Sequence, residues 1–122
     1  MIACAVAALL LCIAVPSYKA YLHRVHRSSA MEFMLAVAAC QERIYAAGAS
    51  YDTRQCLDTD PIAAYEFRMQ PHETAESIAF TVVAEPVGDQ GSDPCGSLSL
   101  DQSGARSISG SAERTRKCWE GR

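Results

Sequence analysis

Hydrophobic and polar positions divide the chain into three regimes. Residues Met1–Val15 read MIACAVAALLLCIAV, with no charge before Lys19. From Leu22 onward the apolar positions recur every three or four residues, at Leu22, Val25, Phe33, Val37, Cys40 and Ile44, with Ser29 in the same row. Met34 and Ala36 widen that row into the stripe of an amphipathic helix facing a core. Pro16 stands between the two regimes, where it would kink the helix without having to end it. Ala47-Gly48 predicts the stop, since glycine commonly follows the last helical turn. Such a helix has about 45 residues and spans roughly 70 Å at 1.5 Å per residue. No domain of this size covers a helix that long, so half of it must be buried elsewhere, in lipid or among neighbouring copies.

The third regime has a period of two. Tyr65, Phe67 and Met69 alternate with Glu66, Arg68 and Gln70; Ile78, Phe80 and Val82 alternate with Ala79 and Thr81. Leu98 and Leu100 alternate with Ser97 and Ser99, and Asp101-Gln102-Ser103-Gly104 is a turn signal after which 105–109 returns as a short strand. Residues 49–62 and 87–95 are expected as loops. The predicted architecture is α+β: a long N-terminal helix packed on a small antiparallel β-meander. No internal repeat or low-complexity tract is present.

At 122 residues the chain has the size of one domain with a modest core. The net charge of −3 argues against a general nucleic-acid binder. The charge is unevenly distributed. Residues 19–43 carry four Lys/Arg and two Glu, residues 48–103 carry two Arg and ten Asp/Glu, and residues 104–122 carry five Lys/Arg and two Glu. An acidic middle therefore lies between two basic stretches, which reads first as a solvated surface.

Cys4 and Cys12 lie in the apolar run, and Cys40, Cys56, Cys95 and Cys118 in the polar remainder. Four cysteines in a small polar domain point to two disulfides and an oxidising compartment, with three pairings open. The spacing does not favour zinc, because no C-x-x-C pair occurs and no histidine is close to these four. His23 and His26 are three apart on the helix, but there is no H-E-x-x-H pattern, so an exposed basic face is the better reading. Gly96-Ser97-Leu98 is not the G-x-S-x-G of a nucleophile elbow. Asp58, Asp60, Asp89 and Asp93 lack EF-hand spacing and read as solvated loop carboxylates. The chain is read as non-enzymatic, with no cofactor and no metal.

The apolar run is shorter than the ~20 residues that span a bilayer. A cleaved secretory signal would need a basic region ahead of it. A lipoprotein signal at Cys12 would need a small residue in place of Leu11. Lys19, Arg24 and Arg27 follow the run and on their own would hold the next domain in the cytoplasm, whereas the cysteines argue for the outside.

The segment ACAVAALLLCIAVPSYKAYLHRVHRSSA resembles the N-terminal helix of type IV pilins, through Ala14-Val15-Pro16-Ser17-Tyr18 and the basic continuation at Arg24 and Arg27. Cys40-Gln41-Glu42-Arg43-Ile44-Tyr45 is similar to a helix segment of PilE-type minor pilins. Cys95-Gly96-Ser97-Leu98-Ser99-Leu100-Asp101-Gln102-Ser103-Gly104 resembles their C-G-x-L-x-L-x-x-x-G hairpin, and Cys118-Trp119 their terminal C-W. The resemblance is to PilE/ComP-like minor pilins and covers nearly the whole chain in order.

This resemblance implies a membrane and filament-core helix half over residues 1–21 and a periplasmic head over 22–122. Leu9, Leu10, Leu11, Ile13 and Pro16 then belong to the buried core of a fibre. It implies a Cys95–Cys118 bridge, with Cys40–Cys56 as the second, and free Cys4 and Cys12. A basic leader, a cleavage site, an N-methylated residue and a glutamate are expected upstream of Met1; about six further residues would bring the run to spanning length. The implied function is a minor subunit that assembles into or initiates a type IV pilus, serving adhesion, twitching motility or DNA uptake. A ComP-like DNA receptor or a type II secretion pseudopilin is the alternative. Partners are other pilins, the assembly machinery and the inner membrane before export to the extracellular pilus. For DNA, the candidate contacts are Arg106, Arg114, Arg116, Lys117 and Arg122 for phosphates, with Trp119 for stacking.

Overall fold

The structure is a computed structural model and describes residues 2–51, 55–57, 62–73 and 78–122, with His72, Glu73 and Ile78 by backbone alone. One helix, α1 (Ile2–Ala46), runs unbroken through Pro16 for 45 residues. Its end is a hydrogen-bonded stop: Gly48 takes φ 85°, its N–H donates to the Tyr45 carbonyl, and Ala49 N–H reaches back to the Ile44 carbonyl. Only glycine adopts that left-handed backbone at little cost, which is why Ala47-Gly48 is a legible stop.

Four strands follow: β1 (Tyr65–Glu73), β2 (Ile78–Pro86), β3 (Leu98–Asp101) and β4 (Arg106–Ile108). They form one antiparallel sheet in the order β1-β2-β3-β4. The register aligns Met69 with Val82 and Val82 with Leu100, so apolar side chains from three strands meet on one face. That face lies on α1, and the two share a core of Ala30, Met31, Met34, Val37, Tyr65, Met69, Phe80, Val82, Ala84, Leu98, Leu100 and Trp119. Each fully buried large side chain here, such as Phe80 or Leu98, contributes ~1.5–3 kcal/mol. The opposite sheet face is polar: Arg68 lies between Glu66 and Glu85, and Ser99 and Ser107 share a 2.7 Å hydrogen bond.

The meander agrees with the sequence periodicity in strand number, order and inward residues, apart from Ile78, whose side chain lies outside the described residues. Three expectations need correction. The helix stripe is rotated: the buried row is Arg27, Ala30, Met31, Met34, Val37 and Gln41, whereas Val25 and Ala36 point outward. Part of the 87–95 loop is a short 3-10 helix at Gly88–Ser92. The chain also closes with an unforeseen helix, α2 (Thr115–Trp119), preceded by a 3-10 turn at Ala112–Arg114.

Candidate assembly surface and head clamp

All described residues from Ile2 to Tyr21 are exposed, and Leu9, Leu10, Leu11 and Ile13 are each more than 60% accessible. The 45-residue helix as a whole is long enough, and its exposed N-terminal stretch apolar enough, to cross a membrane by length and composition. An exposed apolar face of that size marks a surface that something else covers. Pro16 sits inside it without breaking the helix, although it supplies no N–H to the preceding turn. The outward face continues toward the head: Tyr18, Tyr21 and Val25 follow one another at helical spacing and are all exposed.

The head is fastened to α1 by polar groups as well as by its core. Arg27 is buried, and one guanidinium nitrogen donates to both Asp93 carboxylate oxygens, at 2.9 and 3.0 Å. The same nitrogen contacts Cys95 Sγ, and the other donates to the Arg122 carbonyl at 3.2 Å. Gln90, also buried, sends its amide nitrogen toward Asp93, the Tyr65 hydroxyl and the His23 carbonyl, and its amide oxygen lies 3.2 Å from His26 Nδ1. Burial pushes the Tyr65 hydroxyl above its ordinary pKa, with the Gln90 hydrogen bond opposing. One helix turn therefore grips the 88–95 segment and the chain's last turn.

Arg27, read from the sequence as part of a solvated basic face, is thus buried, and Asp93, read as a solvated loop carboxylate, is its partner. His26 belongs to the same network. Asp89 is exposed, and Asp58 and Asp60 lie outside the described residues. Among the described residues no group of three or more His, Cys, Asp or Glu side chains converges as metal ligands do.

Disulfides join Cys40 to Cys56, with 5.8 Å between their Cα atoms, and Cys95 to Cys118, with 5.9 Å. The first ties the head end of α1 to the loop after it, and the second ties α2 to the start of β3. Closing loops of this length is worth about 3 kcal/mol each in the chain-entropy account. Cys4 and Cys12 are free and exposed on the apolar helix half. Arg106, Arg114, Arg116, Lys117 and Arg122 are all exposed, but Arg116 and Arg122 both pair with Glu120. Trp119 is 9% exposed: its ring belongs to the core, its N–H donates to the Ser107 carbonyl, and the Arg106 guanidinium lies 5.2 Å from the ring centre. Trp119 is therefore mostly buried, with Arg106 beside its ring, and presents little of its surface for a base to stack on.

A bare apolar helix half beneath a clamped, disulfide-bonded α+β head defines the class of protein: a type IV pilin. The high-resolution structure of a type IV pilin from Shewanella oneidensis is 33% identical, covers 74% of this chain and 96% of its own, and superposes with a TM-score of 0.58. A family model described as "Type IV minor pilin ComP, DNA uptake sequence receptor" matches residues 16–99. The chain belongs to that ComP minor pilin family and is a minor subunit of the type IV pilus. Among curated proteins no match is found. Family and fold are those of structural proteins. The arginine–aspartate clamp escaped the sequence reading; the only signal for it was one arginine in phase with the helix's buried row.

Proposed function

We propose that residues 1–21 hold this subunit in the inner membrane and then pack against the helices of other pilins in the fibre core. The head, residues 22–122, faces the periplasm first and the fibre surface afterwards. The carrying observation is that every described residue from Ile2 to Tyr21 is exposed, although nearly all are apolar. Lipid and a filament core are both apolar, so one surface serves in both places. Leu10→Arg tests this, since a charge near the middle of a bilayer span costs about 3 kcal/mol or more. The variant should be missing from sheared pili and depleted from the membrane fraction. Wild-type incorporation of Leu10→Arg would mean that this helix half is not buried in the fibre.

Capture of DNA is a second reading, favoured by the printed description of the matching family. The matched span ends at residue 99, short of the exposed cations at 106–122. Trp119 is enclosed, and two of the five cations are already paired. The scaffold reading is therefore the stronger of the two.

A further inference from the structure

A cleft of about 360 Å³ opens at the foot of the head, between α1 and the chain's last residues. Its walls bring together Arg24 and Arg27 from the helix with Arg114, Lys117 and Arg122 from the far end of the sequence. The one acidic side chain in the wall, Asp93, is taken by Arg27, which also donates to the Arg122 main-chain oxygen. Arg122 is paired with Glu120 at 3.3 Å. Arg24, Arg114 and Lys117 have no carboxylate partner among the described residues. Arg27 is 97% buried, yet its Nε has no hydrogen-bond partner among the described residues. Cations converging on a concavity of small-ligand size suit a compact anion; the Arg27 Nε is itself enclosed and marks the wall as electropositive without reaching the cleft.

The position of the cleft along the helix indicates which anion. Tyr18 and Tyr21 are exposed where the apolar helix half ends, the placement that amphipathic aromatic rings take at a membrane–water boundary. Ala20 is part of the cleft wall, and Arg24 lies three residues beyond Tyr21, roughly 4.5 Å along the axis. The cleft thus begins at headgroup depth if residues 2–21 occupy a bilayer.

We propose that this cleft binds the phosphate headgroup of an anionic phospholipid while the subunit waits in the membrane, an inference that rests on the membrane reading above. A duplex needs an extended cationic face, whereas here exposed cations from both ends of the chain line one hollow close to Tyr18 and Tyr21. The bound lipid would orient the head against the membrane, and its release would accompany extraction into the fibre.

The test uses the full chain in maltoside micelles, with bound lipid counted by native mass spectrometry. Phosphatidylglycerol should be retained at least tenfold over phosphatidylcholine. The double variant R24A/K117A should lose about fivefold per charge removed, while R68A, on the outer sheet face, should bind as wild type. Peptide mapping of the Cys95–Cys118 bridge shows that the variants are folded. Equal retention of the two lipids, or full retention by the double variant, overturns the proposal. So does displacement of the lipid by millimolar inorganic phosphate, which would make the cleft a free-phosphate site. Displacement by a short duplex at lower concentration would make it a DNA contact and equally end the lipid proposal. Flotation with phosphatidylcholine vesicles separates the two levels. A wild-type chain that does not float sinks the membrane reading and this inference with it; flotation without lipid preference sinks the inference alone.

Discussion

Arg27 and Asp93 show how much one pair of side chains decides. They lie 66 residues apart, and both are removed from water. A buried ion pair contributes little net stability over an apolar pair of similar size, but breaking it is costly because one charge is stranded. Asp93→Ala should therefore lower unfolding free energy by about 3–5 kcal/mol, read by urea denaturation of the oxidised head. Replacing both partners, Arg27→Met with Asp93→Leu, should recover part of that loss, the remainder reflecting the Gln90 amide and Cys95 N–H left without their Asp93 acceptor. A single variant as stable as wild type would show that the clamp does not fasten the head. Periodicity set Arg27 in the helix and pointed to an exposed basic face, because a charge is normally solvated. Only the approach of Asp93 makes its burial tolerable.

Among the elements, the β3–β4 hairpin was the most legible, because its geometry is local. Asp101 accepts from the N–H groups of Ser103 and Ala105 and from the Ser103 hydroxyl, and Gly104 supplies a φ of 82°. These bonds, led by the Ser103 hydroxyl, hold the Asp101 carboxyl below the usual carboxylate range. A depressed folded-state pKa gives stability that is complete above the unfolded value, near 4, and is lost as pH falls through the lower folded value. Asp101→Ala should cost about 1–2 kcal/mol at neutral pH. Its stability should also fall less than that of the wild type on acidification through the carboxylate range. Parallel pH–stability curves for the two proteins would remove the carboxylate from the account. By contrast, α2 was not foreseen. It is five residues long, too short for periodicity to register, and is held by the Cys95–Cys118 bridge and by Trp119 against β4. Gly110 lies at a close backbone crossing with the 94–95 segment, where an added Cβ would come within 2.5 Å of the Pro94 carbonyl oxygen.

At the scale of the whole molecule, charge and shape weigh a scaffold against a nucleic-acid receptor. The chain is acidic overall, with cations gathered in the cleft where α1 meets the chain's last residues and on the C-terminal segment. A soluble head of residues 22–122 should therefore show no sub-micromolar, salt-sensitive complex with duplex DNA, measured by fluorescence anisotropy across a salt series. Such a complex, lost when Arg114, Arg116 and Lys117 are all changed to Ala with the salt slope flattened by about one unit per contact, would establish the DNA reading.

The sequence by itself determined the long helix, its stop at Gly48, the four-strand meander and the need for an outside partner along the apolar half. Each follows from periodicity, turn chemistry or simple length, all of which act over a few neighbouring residues. Tertiary structure decided which helix face turns inward, that Arg27 and Asp93 are buried together, that Trp119 is enclosed, and that cations from both ends of the chain share one cleft. Those outcomes depend on groups distant in sequence. Their desolvation is affordable only once the partner has arrived, so no local pattern carries them.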